Sequence, residues 1–161
     1  MEVEVVVEIP RGSRNKYEMD HESGAIWLDR LLFTATQYPA DYGFVADTLG
    51  EDGDPLDALV LVDEATFPGC HINARPVAAF LMQDEAGRDA KVLCVPASDN
   101  RWDEVRGLGD VRPSLLDEIG HFFEIYKALE RDKQTEVEGW VDTADAERLV
   151  VDARARLTGH R

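Results

Sequence analysis

The feature that most constrains the fold is a series of short apolar segments, separated by turn residues, that fills the first two thirds of the chain. Valine and isoleucine alternate with glutamate over residues 3–9, which predicts a half-buried strand. Residues 15–20 and 25–30 flank the turn His21-Glu22-Ser23-Gly24 and predict a hairpin. Further strands are predicted over residues 42–46, 58–62, 75–82 and 91–95. Many short strands followed by helices favour a small closed or nearly closed barrel.

The last third of the chain is predicted to be mainly helical. Pro113 suits a first helical position, and apolar residues follow it at helical spacing as far as Leu129. Residues 134–141 predict a short strand, after which Thr143 is suited to cap a final helix. Because no repeat or long linker divides the chain, we expect one α+β domain over residues 1–161.

The charge of the chain argues against two classes of partner. Among 161 residues, 33 are acidic and 17 are basic, which gives a net charge of −16. Nucleic acids and anionic membranes both attract basic surfaces, so neither is an expected partner. The first residues lack the basic and apolar regions of a secretory signal, and no apolar run approaches the roughly 20 residues of a membrane span. We therefore expect a cytoplasmic protein.

Three aspartates fall within the hexapeptide Asp52-Gly53-Asp54-Pro55-Leu56-Asp57. Carboxylates this close repel one another unless cations lie between them, and hard ions such as Mg²⁺ prefer oxygen ligands. The hexapeptide therefore predicts a metal site, with an acidic surface turn as the simpler alternative. An EF-hand is not supported, because that loop needs a glutamate six residues after its glycine, where this chain has Leu59.

A second acidic cluster contains Asp84, Asp89 and Lys91 around a turn at Gly87. Asp89 and Lys91 are expected on one face of a strand, because side chains alternate there with a period of two. Alone, this segment fits a polar hairpin tip equally well. Together with the hexapeptide it supplies the additional oxygen ligands that a site for several metal ions needs.

The first predicted hairpin mixes charges, with Lys16 and Glu18 on one face of its first strand and Arg30 at the end of the second. One interpretation is a cross-strand ion pair between Glu18 and Arg30, which contributes little if it is exposed. The other gives both cations to an anionic substrate and Glu18 to a metal. Tyr42 and Tyr126 are likewise either packing residues or hydroxyl donors to a phosphate.

These groups fit together around a highly anionic substrate that enters an acidic site together with divalent cations. Mg²⁺ typically joins a few carboxylates to substrate phosphates. Two metal ions that share a carboxylate also hold a water between them and lower its pKa from 15.7 toward about 7. A nearby carboxylate that binds no metal can take the proton, while lysine and arginine neutralise charge on the departing phosphate.

The hexapeptide and Ala58 fit the signature of the soluble family I inorganic pyrophosphatases, and the chain resembles that family nearly from end to end. The matching segments are residues 8–10, 15–18, 38–43, 84–87, 95–96, 121–123, 126–127 and 137–140. Residues 15–21 and the short N-terminus are similar to actinobacterial members. The resemblance implies an OB-like five-stranded β-barrel with flanking C-terminal helices, a homohexamer, and hydrolysis of pyrophosphate to two phosphates by a metal-bridged hydroxide. It also implies about three to four Mg²⁺ ions per site, with Mn²⁺ or Zn²⁺ as substitutes.

The resemblance also assigns roles to individual positions. The metal ligands would be Glu8, Glu18, Asp52, Asp57, Asp84 and Asp89. The phosphate-binding residues would be Lys16, Arg30, Tyr42, Lys91, Tyr126 and Lys127. Asp54 is the first choice for general base, with Asp89 as the alternative. His21 matches a histidine near the site in actinobacterial members, and Ala86 stands where those relatives can carry a second one.

The residues alone leave two other functions open. Hydrolysis of another phosphoanhydride, such as a nucleotide, is less favoured because the chain has no Gly-x₄-Gly-Lys-Ser/Thr loop and no evident aromatic for stacking a base. The non-enzymatic alternative is an acidic barrel that binds Ca²⁺ or a protein partner. Turnover of pyrophosphate, of nucleotides or of neither distinguishes the three hypotheses.

Overall fold

The structure is a computed structural model that describes residues 1–128 and 135–159, except for the side chains of residues 127 and 128. Its strands are β1 (Val3–Ile9), β2 (Asn15–Met19), β3 (Ile26–Leu31), β4 (Asp41–Val45), β5 (Asp57–Val60), β6 (His71–Asp84), β7 (Gly87–Pro96) and β8 (Glu136–Asp142). The α-helices are α1 (Pro113–Ala128) and α2 (Thr143–Gly159), and short 3-10 helices cover Asn100–Trp102 and Leu108–Asp110. Every predicted helix and strand is present, although residues 129 and 134, at two predicted boundaries, lie outside the described residues.

Five of the strands close into a barrel. Hydrogen bonding runs in the order β1-β4-β5-β7-β6-β8, and β1 also pairs with β6, which closes the ring. Closure is possible because β6 is 14 residues long: it pairs with β1 near its start, with β7 along most of its length and with β8 towards its end. The prediction of a five-stranded barrel with C-terminal helices is confirmed.

The strand directions matter for the site that follows. Pairs around the ring are antiparallel except β5 with β7, which run parallel and set Asp57 beside Lys91. β4 lies so close to β1 that a Cβ on Gly43 would overlap the carbonyl group of Val6. A glycine is needed at that position, because only a residue without a side chain permits such a close backbone approach.

The hairpin of β2 and β3 forms a separate two-stranded sheet. Lys16 pairs with Arg30 across it, and Glu18 pairs with Trp27, because the register shifts beyond Lys16. The interpretation that Glu18 and Arg30 form a cross-strand ion pair is therefore wrong. Arg30 instead contacts Asp29 of its own strand at 3.2 Å.

Strands β6 and β7 are longer than the sequence predicted. They continue to a tight turn at which Asp84 pairs with Gly87, whereas the predicted segments covered only residues 75–82 and 91–95. Polar residues near the turn hide the apolar alternation on which the prediction depended. The pairing of the backbone nevertheless continues to the tip, so both acidic ends of the hairpin are held by the sheet.

Hydrophobic clusters lie on both faces of the barrel strands. On one face Leu59 and Leu93 pack against the α1 side chains Ile119, Phe122 and Phe123. Neighbouring residues of the same strands point to the opposite face, where they pack against the buried α2 residues Ala146, Val150 and Ala153. Burial of each such aromatic or aliphatic side chain contributes about 1.5–3 kcal/mol. None of the helices among the described residues is both long and apolar enough to cross a membrane.

Candidate active site

A cleft of about 400 Å³ lies where the hairpin β2–β3 and helix α1 meet the ends of the barrel strands. It is lined by most of the predicted site residues: Glu8, Lys16, Glu18, Tyr42, Asp52, Asp54, Asp57, Asp84, Asp89, Lys91 and Tyr126. Arg30 is not among the lining residues, and its side chain is 47% exposed on β3. The side chain of Lys127 lies outside the described residues, so its predicted contact with phosphate remains a prediction.

Lys91 is the centre of the buried part of this cleft. Its Nζ atom lies 2.7 Å from Oδ2 of Asp57 and 2.9 Å from Oδ1 of Asp89. The same atom donates a hydrogen bond of 2.9 Å to the Tyr42 hydroxyl, and it lies 5.2 Å from the centre of the Phe123 ring. Because Asp57 and Lys91 are neighbours in the parallel β5–β7 pair, the sheet register itself holds this cluster together.

The cluster shifts the ionisation of its members. Burial alone would lower the pKa of Lys91, but the nearby charge of Asp57 and the other acidic groups raises that pKa well above its usual value, so the ammonium stays charged. Burial raises the pKa of Asp57, and repulsion from Asp89 adds to the effect, although Lys91 opposes both. One buried cation therefore faces two carboxylates, which leaves an excess of negative charge.

The loop of residues 50–56, called the acidic loop below, brings Asp52 and Asp54 to the cleft. The backbone N–H of Asp54 donates to Oδ1 of Asp52 at 3.1 Å, and Gly53 adopts a φ of +92°, which favours glycine. Partial burial raises the pKa of Asp52, and repulsion from Asp54 and Asp89 acts in the same direction. Asp54 is exposed at the mouth of the cleft.

Glu8, near the end of β1, brings a further carboxylate to the cleft. Burial raises its pKa to about 7, even though its Oε2 accepts a hydrogen bond of 2.8 Å from the Met19 N–H. Repulsion from Asp57 and Glu18 also raises this pKa. Glu8 therefore ionises less readily than a solvated carboxyl group, mainly because it is buried and in part because other carboxylates lie nearby.

The hairpin β2–β3 carries the cations Lys16 and Arg30, of which Lys16 lines the cleft. Lys16 lies 3.3 Å from Asp29 and 5.6 Å from the centre of the Tyr126 ring. Burial would lower the pKa of Lys16, but the interactions with Tyr126 and Asp29 raise it overall. Asp29 also contacts Arg30, so one carboxylate holds both cations of the hairpin.

The tip of the β6–β7 hairpin brings in the second acidic cluster. Asp84 lines the cleft, and its Oδ1 accepts a hydrogen bond of 2.8 Å from the Ala86 N–H. Asp89 is buried, and its contact with Lys91 agrees with the prediction that the two share a strand face. Arg88 is held 3.6 Å from Glu138 of β8, on the outer side of the hairpin.

Some contributors to the cleft were missed by the sequence-based reasoning. Asp29 was not singled out, although its place next to Arg30 and near Lys16 across a predicted hairpin offered a signal. Phe123 was assigned only to the apolar face of a helix, and its ring also lines the cleft beside Lys91. His21 is both exposed and part of the cleft lining, with its ring 4.9 Å from the Phe44 ring centre.

The donor set fits hard divalent cations. Within residues 1–128 and 135–159, no group of three or more acidic, histidine or cysteine side chains is already close enough together to hold a single ion. The cleft nevertheless offers carboxylate oxygens on several elements, and both Glu8 and Asp57 have raised pKa values caused by burial and by neighbouring carboxylates. A bound divalent cation reverses such shifts, because it becomes the largest local positive charge.

The chain was compared with known proteins. The sequence profile described as "Pyrophosphatase: Inorganic pyrophosphatase" matches residues 5–158. Inorganic pyrophosphatase from Streptomyces coelicolor is 58% identical over 147 residues, which cover 91% of this chain and 90% of that protein. The one from Leifsonia xyli subsp. xyli is 53% identical and covers 96% of this chain and 94% of its own length. The crystal structure of inorganic pyrophosphatase from Thermus thermophilus superposes with a TM-score of 0.92 at 50% identity, covering 98% of this chain and 91% of that chain.

Proposed function

The chain belongs to the inorganic pyrophosphatase family and hydrolyses pyrophosphate to phosphate; from this premise we propose that the reaction depends on Mg²⁺ and takes place in the cleft described above. We further propose that residues 1–161 act as one catalytic domain. Two kinds of group in the cleft support the proposal: carboxylates, and the lysines and phenol groups that lie among and beside them. A diphosphate anion and its counter-cations require both kinds of group.

We assign the metal cations to the carboxylates of the cleft. Asp52, Asp57 and Asp89 would hold the first ions, and Asp84, Glu18 and Glu8 would hold or orient those that arrive with pyrophosphate. When bound, Mg²⁺ supplies charge neutralisation for the phosphates and lowers the pKa of an attacking water. The raised pKa values of Asp52, Asp57 and Glu8 support this assignment, because each carboxyl group gains most from a nearby cation.

The phosphate groups of the substrate would be bound by lysine, arginine and tyrosine side chains. Lys91 stays charged in its buried position and presents a fixed ammonium, with the Tyr42 hydroxyl beside it. Lys16 and Tyr126 are in contact at the opposite end of the cleft. Arg30 pairs with Lys16 across the hairpin and is proposed to turn from Asp29 towards the substrate; Lys127 completes the proposed set.

Asp54 is the better candidate for the proton acceptor. Asp89 is buried and its Oδ1 already contacts the Lys91 ammonium at 2.9 Å, so it is less accessible to an attacking water. Asp54 lies exposed in the cleft wall, where a water can reach it. This difference in surroundings favours Asp54 over Asp89 for taking a proton from the attacking water.

The proposal is tested by measuring phosphate release from pyrophosphate, ATP and ADP with Mg²⁺, Mn²⁺, Zn²⁺ or Ca²⁺. We expect rapid release from pyrophosphate with Mg²⁺, slower release with Mn²⁺ or Zn²⁺, and little release from the nucleotides. Comparable turnover of ATP with Mg²⁺ would favour the broader phosphoanhydride hydrolase. Ca²⁺ binding without turnover of any substrate would favour the non-enzymatic alternative.

A homohexamer in the cytoplasm completes the proposal. Four large apolar side chains of the β3 region are more than half exposed: Trp27, Leu28, Leu31 and Phe33. Apolar side chains grouped in this way favour contact with another protein surface. Cys70 and Cys94 are both free thiols, which agrees with a reducing compartment. Light scattering at micromolar concentration should give six times the mass of one chain, and the mass of a single chain would contradict the hexamer.

A further inference from the structure

The acidic loop is attached to helix α2 through Leu49, the residue that precedes the loop. The backbone N–H of Leu49, which immediately precedes the loop, donates a hydrogen bond of 3.0 Å to the carbonyl oxygen of Ala153. The carbonyl oxygen of Leu49 in turn accepts a hydrogen bond of 2.7 Å from Nη1 of Arg156. Both polar backbone groups of Leu49 are thus held by one face of α2, more than 100 residues away along the chain.

The other end of the acidic loop is fixed by a different device. The buried Thr48 hydroxyl donates to the Val45 carbonyl at 2.6 Å and accepts a hydrogen bond of 3.0 Å from the Leu56 N–H. Leu56 then leads directly into β5. The Leu49 end is held instead by the Ala153 carbonyl and by the partly exposed Arg156.

Inside the loop, short hydrogen bonds pass the position of Leu49 on to the carboxylates. The Gly50 N–H donates to the Asp54 carbonyl at 2.6 Å, and the Asp54 N–H donates to the Asp52 carboxylate at 3.1 Å. A displacement of Leu49 therefore moves Gly50, and with it both acidic residues. Asp52 and Asp54 are thus connected to Leu49 by consecutive hydrogen bonds within the loop.

A small cavity of about 70 Å³ separates α2 from the acidic residues. Asp52, Asp57 and Asp89 line it as well as the main cleft, and Arg156 and Asp152 line its other side. A space of this size has room for a few water molecules. Arg156 does not line the main cleft, so it contributes to the site through its charge and its hydrogen bond to Leu49.

We propose that Arg156 is a positioning residue that fixes the acidic loop so that Asp52 is placed for metal binding and Asp54 for proton transfer. This inference rests on the proposed function, because it assumes that Asp52 binds a metal. A hydrogen bond from a charged donor is stronger than one from a neutral donor, and partners behind metal ligands typically change metal affinity by about 10- to 100-fold. Loss of the donor should weaken cation binding about tenfold and lower turnover by a similar factor.

The variants Arg156→Met and Arg156→Lys test this proposal, because methionine keeps the aliphatic stem whereas lysine also keeps a charged donor. Arg154→Met is the matched control: Arg154 lies on the same helix, is exposed, and its guanidinium donates a long 3.5 Å hydrogen bond to the Glu2 carbonyl. Mn²⁺ binding is measured by electron paramagnetic resonance without substrate, and phosphate release is measured as a function of Mg²⁺ concentration. We expect a tenfold loss of Mn²⁺ affinity in Arg156→Met, a smaller loss in Arg156→Lys and no change in Arg154→Met.

Unchanged Mn²⁺ affinity in Arg156→Met would overturn the proposal, even if its melting temperature fell, because a purely structural role predicts only the latter. An equal loss in the lysine and methionine variants would overturn the hydrogen-bond explanation. Absence of Mn²⁺ binding by the wild-type chain would instead contradict the metal sites of the proposed function. If Arg156→Met does not fold, hydrogen exchange of the wild type decides: Mn²⁺ should slow exchange in both residues 48–57 and α2, and an unaffected α2 would refute the coupling.

Discussion

The two walls of the cleft are built in different ways. One wall, called the strand wall, is fixed by sheet register and by direct contacts with the Lys91 ammonium; it consists of Tyr42, Asp57, Asp89 and Lys91. The other, called the loop wall, consists of Asp52 and Asp54 on a loop that backbone hydrogen bonds and α2 hold in place. The comparison teaches that the buried charges of the cleft, including the proposed metal ligands Asp57 and Asp89, are fixed within the sheet. Asp52 and Asp54, which are proposed to bind an ion and to take a proton from water, lie on an exposed loop.

The largest expected effect comes from Asp54→Asn in the loop wall. Asparagine keeps the shape but cannot take a proton, so turnover should fall by about 10²- to 10⁴-fold. Stability should change by less than about 0.5 kcal/mol, because Asp54 is exposed. Phosphate release and thermal melting measure the two quantities. Turnover near that of the wild type would point to Asp89 as the base and would remove the proposed division of labour.

Lys91→Met should damage the strand wall in both activity and stability. Without the ammonium, the ion pairs of Asp57 and Asp89 with Lys91 are lost and the two carboxylates repel each other. We expect unfolding in urea to require about 2–3 kcal/mol less free energy, below the full cost of an unpaired buried charge, because the Asp57 side chain is 26% exposed. We also expect activity to fall by more than about a hundredfold.

Lys16→Met is the matched control for stability. Its partner Asp29 is 35% exposed, so removal of this ion pair should cost less than about 1 kcal/mol. An equal loss of stability in the two lysine variants would show that the strand wall has no special structural role.

Tyr42→Phe should have a smaller effect, confined to binding. The substitution keeps the ring and removes the hydroxyl, which accepts the 2.9 Å hydrogen bond from Lys91 and also hydrogen-bonds Asp57. Loss of the proposed hydroxyl contact with phosphate, worth about 1 kcal/mol, should raise KM for pyrophosphate about fivefold with a smaller change in kcat. Steady-state kinetics of Tyr38→Phe provide the control, since Tyr38 is buried with its ring 5.5 Å from that of Tyr42 and should change KM less than about twofold. The reverse order would reassign the phosphate contact to Tyr38.

The smallest effect concerns a carboxylate outside both walls. Asp142 accepts hydrogen bonds from the Leu108 N–H at 2.9 Å and the Thr143 N–H at 2.8 Å, and these bonds lower its pKa. A group whose pKa is lower in the folded state stabilises the fold above its unfolded pKa of about 4, and this contribution is lost as the pH falls through the folded value. The stability difference between wild type and Asp142→Asn should therefore shrink as the pH falls below about 4 in urea titrations. A constant difference would mean that ionisation of Asp142 contributes nothing.

The sequence predicts the loop wall better than the strand wall. Asp52 and Asp54 are neighbours in the chain, so their repulsion and their need for cations follow from the sequence. Asp57 and Lys91 are 34 residues apart, and their contact depends on the parallel pairing of β5 with β7, which alternation of apolar residues does not reveal.

The hairpin β2–β3 shows a second limit. Alternation correctly predicts both strands, but the register shift beyond Lys16 separates Glu18 from Arg30. Asp29 then holds both cations, an outcome set by side-chain reach across the hairpin rather than by residue type. Elements and chemistry follow from the chain, whereas exact pairing requires the assembled barrel.

The triple pairing of β6 has a consequence for how the protein folds. Residues 3–6 of β1 close the ring by pairing with residues 71–74 of β6, and β5 joins β7 in parallel, so both contacts bring together distant parts of the chain. Contacts of this kind form slowly, because a long loop must close before any contact energy is gained. The ammonium of Lys91 meets Asp57 only once β5 and β7 are paired, so a partly folded chain lacks this buried cluster. Any ligand that binds only the finished cleft will therefore stabilise the folded state.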